Sequence, residues 1–250
     1  MMIAQLRSEL FKQRTTRTAS VLLASMAGVT LLVVCLHVFT LKTADLSQAA
    51  NQPKVFGWGT TIGALFGALS GAIGLTAEFR HGTIRPTLLT NPDRSRVLVA
   101  KATAAAIAGL VIGLLATGLV AAIGSIGLAV RGIPITLNAG DFTQMIAGGA
   151  AGAALWAILG TGIGALLRGQ VAAVIGLCVW LLLIENILIG NVPSAAKYAP
   201  GASDGALAGL MPNAGTASLL APAAGALLLA GYAALTAALG LMAIERRDID

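Results

Sequence analysis

The stretch EFRHGTIRPTLLTNPDRSRVLVAK, residues 78–101, is the one long polar interruption in an otherwise apolar sequence. On either side lies a segment long and apolar enough to cross a bilayer, 57–77 before it and 102–130 after it. The stretch therefore predicts a polar loop between two membrane-spanning helices. Its charged or titratable side chains are Glu78, Arg80, His81, Arg85, Asp93, Arg94, Arg96 and Lys101.

The composition of the whole chain indicates an all-α integral membrane protein. Hydrophobic residues make up 57% of the sequence and charged residues only 10%, with a mean hydropathy of +0.87. Soluble domains carry roughly 25% charged residues. Because a spanning helix needs about 20 apolar residues, 250 residues are enough for one membrane domain with six crossings and leave little chain for a soluble domain.

The formal net charge of +6 does not predict a nucleic-acid partner, because the cations lie between hydrophobic runs and no basic patch is interleaved with aromatic residues. The lipid bilayer is the partner that this pattern predicts. Cys35 and Cys178 both lie inside apolar runs, so we interpret them as packing residues.

We predict that residues 1–17 form an amphipathic interfacial helix, with Ile3, Leu6 and Leu10 on one face and Phe11 at its edge. A solvated basic leader is the alternative. The run 18–41 that follows is too long for the 7 to 15 apolar residues of a signal peptide, so we interpret it as the first span. The predicted spans are about 18–41, 57–77, 102–130, 142–167, 171–189 and 223–244.

Residues 190–222 are predicted to form an outer re-entrant segment, because four prolines punctuate it and its apolar run 206–211 is too short to cross. The distribution of cations supports six crossings. Of the 16 Lys and Arg residues, 12 fall on the side of the N-terminus, and short cytoplasmic loops carry such an excess. Both termini are therefore expected in the cytoplasm. The other four are Lys42, Lys54, Arg131 and Lys197.

Glycines at a spacing of four residues predict close helix packing, because they align on one face and let another helix approach. Trp156 lies within one such row. The predicted packing positions are Gly63, Gly67, Gly71, Gly109, Gly113, Gly148, Gly152, Gly160 and Gly164.

Sequence motifs for catalysis are missing: no G-x-x-x-x-G-K-[ST], H-E-x-x-H or G-x-S-x-G occurs. Glu185 is the one ionisable residue well inside a predicted span, which makes it and Asn186 candidates for a translocation path or outer gate. Alternatively, Glu185 reaches the outer interface or caps the re-entrant segment. His37 has no second ligand at metal-binding spacing and is typical of an interface residue.

Several short motifs together resemble the membrane subunit of type-2 ABC exporters. They are E-F-R-H-G-T at 78–83, R-P-T-L-L at 85–89, Lys101 at the start of the third span, and I-E-R-R at 244–247. A basic amphipathic leader and a glutamate before a proline-rich outer segment are also similar to that family.

The resemblance implies that the loop after the second span forms a coupling helix that docks on a separate nucleotide-binding subunit. Thr83 could cap such a helix and Asn91-Pro92 could end it. The alternative is a plain cytoplasmic loop whose cations only set topology. The residues that match the coupling motif are Glu78, Arg80, Gly82, Thr83, Arg85, Leu88 and Leu89.

The resemblance further implies a non-catalytic permease subunit of the cell membrane. It would bind no cofactor itself, with ATP and Mg²⁺ on an ATP-binding cassette partner, and would pair with a second copy or a paralogue. The expected function is export of an apolar or amphipathic substrate. The alternatives are an ion-coupled secondary transporter with Glu185 as a proton relay and, last, a membrane-embedded enzyme, for which no catalytic set exists.

Overall fold

A computed structural model describes residues 2–90, 93–210 and 219–246, with the side chains of residues 2, 85, 88 and 90 left undescribed. Of the described residues, 87% are helical and none forms a strand. Helices are expected, since a spanning helix satisfies its backbone hydrogen bonds within itself. The thirteen α-helices described are α1 Met2–Thr15, α2 Arg17–Thr40, α3 Thr43–Leu46, α4 Pro53–Phe56, α5 Trp58–Arg80, α6 Ile84–Thr90, α7 Arg94–Val130, α8 Ala139–Leu167, α9 Gln170–Val179, α10 Glu185–Asn191, α11 Pro193–Ala196, α12 Pro200–Leu207 and α13 Pro222–Arg246.

Six helical stretches in the described ranges are long and apolar enough to cross a membrane, which confirms the predicted number of spans. They are formed by α2, by residues 49–80 including α5, by α7, by α8, by α9 with α10, and by α13. Consecutive stretches run in alternating directions. One end of the bundle carries α1 and α6 and is called the α1 end; the other carries α4, α11 and α12 and is called the cavity end.

The centre of the bundle is formed by α5 and α8. In the most apolar window of each stretch, 67% of the residues around α5 are buried, against 17% in α2 and 22% in α13. Glycine makes the close approach of α5 and α8 possible. A Cβ atom at Gly67 would lie 2.5 Å from the Ala153 carbonyl oxygen, and one at Gly71 would overlap the Ala157 carbonyl.

The predicted third span, 102–130, lies within α7, which begins eight residues earlier at Arg94. Asp93 caps it, since its carboxylate accepts from Arg96 N at 3.1 Å and from Ser95 Oγ at 2.5 Å. Residues 94–101 therefore continue the helix of the third span, and Lys101 is buried at 4% exposure rather than lying in a loop.

The segment 1–17, predicted to form an interfacial helix, contains the helix α1. Glu9 is buried in α1, whereas Ile3 and Phe11 are 78% and 67% exposed. The reason is electrostatic: Glu9 turns toward the bundle because Lys101 of α7 offers it a buried cation. Hydrophobic periodicity carries no information about such a partner.

The outer segment consists of short helices in its described part. α12 packs against α13 and α8, and its residues Ser203 and Asp204 are buried at 0% and 1% exposure. With eight residues, α12 spans about 12 Å and is too short to cross a bilayer. Pro212, one of the four prolines of the prediction, lies outside the described residues.

Candidate functional site

The α1 end presents a short helix on a sharply defined turn. α5 ends in a Schellman motif, in which Thr83 N donates to the Glu78 carbonyl at 3.0 Å and Gly82 N to the Phe79 carbonyl at 3.3 Å. Gly82 has a φ of +67°, a backbone conformation that favours glycine. α6 starts immediately afterwards, so its direction is fixed by the end of α5.

The residues predicted for coupling divide into three groups. Thr83 directly precedes α6 and its carbonyl accepts from Thr87 N at 3.4 Å. Leu89 is 85% exposed. Arg80 is also exposed and donates to Gln170 Oε1 at 3.3 Å. Glu78 is buried in the last turns of α5, whereas the side chains of Arg85 and Leu88 and the residues Asn91 and Pro92 lie outside the description.

Four side chains from three helices form an ion cluster at the α1 end. Lys101 Nζ lies 2.9 Å from Glu9 Oε2 and 2.6 Å from Glu78 Oε1. Lys12 Nζ lies 2.9 Å from Glu9 Oε1 and 2.9 Å from Glu78 Oε1. We call Glu9, Lys12, Glu78 and Lys101 the ion cluster. It joins α1, the end of α5 and the start of α7, and it contains as many positive as negative groups.

The opposite charges of the ion cluster favour the ionised forms of Glu9 and Lys12. Burial alone would raise the pKa of Glu9, but the ammonium groups of Lys101 and Lys12 outweigh burial and lower it. Burial would lower the pKa of Lys12, yet its hydrogen bonds to Glu78 and Glu9 raise it. A movement of α1 relative to α5 or α7 would separate opposite charges in a partly dry environment, so the cluster acts as a clamp.

Arginine side chains tie further helix ends at the α1 end. Arg94 Nη1 donates to the Ile244 carbonyl at 2.5 Å, and Arg168 Nη2 to the Ala243 carbonyl at 3.3 Å. Both therefore bind the last carbonyls of α13, where a cation is favourable. The guanidinium of Arg168 also lies 5.4 Å from the centre of the Phe79 ring.

The cavity end contains Glu185 at an irregular point of the fifth span. Residues 180–184 form a π-helical turn, in which Glu185 N donates to the Trp180 carbonyl five residues back. The wider turn also brings the two side chains together, and Trp180 Nε1 donates to Glu185 Oε1 at 2.8 Å. Such single π-turns often occur at functional sites.

Glu185 caps α12, which is one of the alternatives that the sequence left open. Gly201 N, in the first turn of α12, donates to Glu185 Oε1 at 2.8 Å. This satisfies one of the backbone N–H groups that the start of a helix leaves free. Asn186 donates to the Leu182 carbonyl at 3.0 Å. The two neighbouring side chains therefore have different hydrogen-bond partners, and both line the cavity described next.

Asp204 is the residue that the sequence prediction missed. It lies in α12, is 1% exposed, and is close enough to Glu185 for their charges to interact. Its Oδ1 has no hydrogen-bond partner and lies against Gly152 of α8. Trp156 Nε1 faces the carboxyl group without a hydrogen bond of ordinary geometry. We call Glu185 and Asp204 the carboxyl pair.

A cavity of about 560 Å³ adjoins the carboxyl pair. Its wall includes the buried Thr60, whose Oγ1 has no partner, and an aromatic pair in which the rings of His37 and Trp58 lie 5.0 Å apart. His37 Nδ1 is 2.9 Å from the Val33 carbonyl and so acts as a donor there. In the described ranges, no group of three or more metal-ligating side chains exists.

Two lysines line the same cavity without reaching the carboxyl pair. Lys54 is exposed, and Lys197 Nζ lies 5.0 Å from the centre of the Tyr198 ring. No Lys or Arg of the described chain is within ion-pair distance of Glu185 or Asp204. The cavity lining is therefore acidic at Glu185 and Asp204 and basic at Lys54 and Lys197.

The remaining predicted packing residues lie at helix contacts. Gly109 would place a Cβ 2.5 Å from the Ala153 carbonyl, and Gly148 one 2.5 Å from Ala208 of the segment after α12. Gly63 and Gly113 approach each other between α5 and α7. Gly160 and Gly164 lie against Ala68 and Ala72 of α5, and Gly152 against Asp204.

The fold and these sites define the class of the protein as a multi-pass helical membrane protein. A scan of the sequence against protein-family models gives no match, and a search of curated proteins gives none either. The particular function must therefore be inferred from the residues and their geometry.

Proposed function

We propose that this chain is the permease subunit of an ABC exporter of the type-2 class. The observation that carries the proposal is the arrangement at the α1 end: the short helix α6 follows the end of α5 after one tight turn and packs on α7, and the adjoining ends of α5 and α7 are joined to α1 by the largely buried ion cluster. A force applied to α6 would reach α1, α5 and α7 together.

ATP would be bound and hydrolysed on a separate subunit, with Mg²⁺, because the sequence has no P-loop to cradle phosphates. The exposed Leu89 offers an apolar contact for that subunit, and the exposed Thr83 directly precedes α6. Two copies of the chain, or the chain and a paralogue, would form the pathway. The protein would reside in the cell membrane. The excess of cations at the α1 end supports a cytoplasmic location for this end and for both termini.

The test is reconstitution with the ATPase subunit that co-purifies in mild detergent. We expect Mg²⁺-dependent ATP hydrolysis by the complex and, with Leu89→Ala, a loss of association of about tenfold, because an exposed leucine contact contributes on the order of 1–2 kcal/mol. Ile135→Ala is the matched control, since Ile135 is also exposed but lies at the cavity end.

Glu78 is unsuitable as a docking probe because it is part of the buried ion cluster, so Thr83→Ala should accompany Leu89→Ala instead. The proposal is wrong if no ATP-hydrolysing subunit associates and the purified chain alone transports. It is also wrong if both variants leave association and ATPase activity unchanged.

A second candidate is an ion-coupled secondary transporter in which Glu185 relays protons. The specific observation in its favour is Asp204, which places a second buried carboxyl beside Glu185 at the cavity. Transport in proteoliposomes without ATP, abolished by a protonophore, would favour this candidate over the first.

A further inference from the structure

We propose that the cavity beside the carboxyl pair binds lipophilic organic cations, with the positive group of the ligand held by Glu185 and Asp204. As a statement about cargo, the inference rests on the transport function proposed above. As a statement about binding, it concerns this chain alone and is tested without ATP.

The charge balance of the site is the first argument. Glu185 accepts hydrogen bonds from Trp180 and Gly201, but both donors are neutral. The indole of Trp156, which faces Asp204, is neutral too and makes no hydrogen bond of ordinary geometry to it. A buried carboxylate without a cation is costly, so such a group must take up a proton or meet a positive ligand. Neither Lys54 nor Lys197 supplies that charge to either carboxyl group in this structure.

Unsatisfied polar groups on the cavity wall are the second argument. Thr60 Oγ1 is buried, has no hydrogen-bond partner and belongs to the lining. Buried polar atoms are nearly always paired in folded proteins. Two residues that line one cavity, Thr60 and Asp204, thus each keep a buried oxygen that the protein does not pair, and we interpret them as polar groups that a ligand could engage after a side-chain rotation.

The size and the walls of the cavity set the class of ligand. A volume of about 560 Å³ lies within the roughly 300–1,000 Å³ of sites for drug-sized molecules and far exceeds a bare metal ion. Leu181, Leu182 and Ile189 provide apolar walls, and the face of the Trp58 ring attracts positive charge. A cation with a bulky apolar body satisfies the carboxyl pair and fills the remaining space.

Equilibrium dialysis with tetraphenylphosphonium, on the full chain in nanodiscs, tests the inference. Tetraphenylborate is the control ligand, because it has nearly the same shape and the opposite charge. We expect saturable binding of the phosphonium above empty nanodiscs and none of the borate. Asp204→Asn and Glu185→Gln should each weaken phosphonium binding by at least about tenfold, since a close charge pair near a protein surface contributes several kcal/mol.

Asp45→Asn is the matched control variant, because Asp45 is exposed at the cavity end and does not line the cavity. It should change the phosphonium affinity by less than about twofold. Lys54→Glu provides a second test that leaves the buried core untouched. Since Lys54 is exposed on the cavity wall, reversing its charge should tighten phosphonium binding at low salt.

The inference is overturned if the phosphonium does not saturate above empty nanodiscs, if the borate competes equally, or if folded Asp204→Asn and Glu185→Gln both bind as the wild type does. Lys54→Glu without any effect at low salt would also contradict it. Phosphonium binding in a chain that shows no ATP-dependent transport would overturn the proposed function and leave this inference standing.

Discussion

The two ends of the bundle each bury two acidic side chains, and they neutralise them differently. At the α1 end, Glu9 and Glu78 meet two lysines within 3 Å in the ion cluster. At the cavity end, Glu185 accepts hydrogen bonds from the Trp180 indole and the Gly201 backbone amide, and the carboxyl pair lines the cavity. A buried acid with its own cation fastens helices together, whereas one without a cation is available to a ligand.

The largest expected effect comes from removing the central cation of the ion cluster. Lys101→Met would leave Glu9 and Glu78 buried with only the half-exposed Lys12, and we expect a loss of about 3–5 kcal/mol. The melting temperature in detergent, followed by scanning fluorimetry, should fall by roughly 10 °C. Arg96→Met removes an exposed pair with Asp93 on the same helix and should cost less than about 1 kcal/mol. If Lys101→Met and Arg96→Met lower the stability equally, the buried ion pairs of Lys101 contribute no more than the exposed pair of Arg96 and Asp93.

Substitutions at the contact between α5 and α8 test how much helix packing contributes to stability, because they change no charge. Gly71→Ala would push a methyl group into the Ala157 carbonyl and should destabilise the bundle by about 1–3 kcal/mol. Gly74→Ala, on the same helix with nothing within 4 Å, should stabilise it by about 0.5–1 kcal/mol. If both substitutions lower the melting temperature alike, α5 does not approach α8 through Gly71.

Acid should weaken the α1 end. Because the pKa of Glu9 is lowered on folding, its contribution to stability is present above the pKa of the unfolded chain and is lost as the pH falls through the folded-state pKa. The raised pKa of Lys12 gives the opposite sign, a contribution lost only at strongly alkaline pH. Melting temperatures measured from neutral pH into acid should therefore fall less in Glu9→Gln than in the wild type. An identical acid dependence in both proteins would contradict the clamp.

The smallest effect is expected at the cavity end. Asp204→Asn removes a buried carboxyl that has no cation to lose. The free energy of unfolding should therefore stay within about 1 kcal/mol of the wild type or increase, and the melting temperature should stay similar or rise. Glu78→Gln, the matched change in the ion cluster, should lower it clearly, because two lysines lose a partner. If Asp204→Asn lowers the melting temperature as much as Glu78→Gln does, the buried acids of the two ends do not differ in their contribution to stability.

Local sequence patterns were sufficient to predict the six spanning helical stretches. The reason is that apolar length and the positions of prolines are properties of a single segment. They were insufficient for side chains that depend on another helix. Glu9 looks like a surface residue of an amphipathic helix, and Asp204 like a solvated residue of an outer loop. A signal for Asp204 did exist: it lies next to glycines in a short segment without other charges after Lys197, which is a pattern compatible with burial.

The amino-acid sequence is sufficient to predict a helical membrane protein with six spans, because the energetic cost of exposing backbone polar groups or charge to lipid acts on every residue separately. The tertiary structure alone decided which charges meet. Only the folded bundle brings Lys101 of α7 to Glu9 of α1, and only the return of α12 into the bundle places Asp204 beside Glu185. Ion pairing depends on distances of a few ångströms between residues far apart in the chain, and no periodicity encodes those distances.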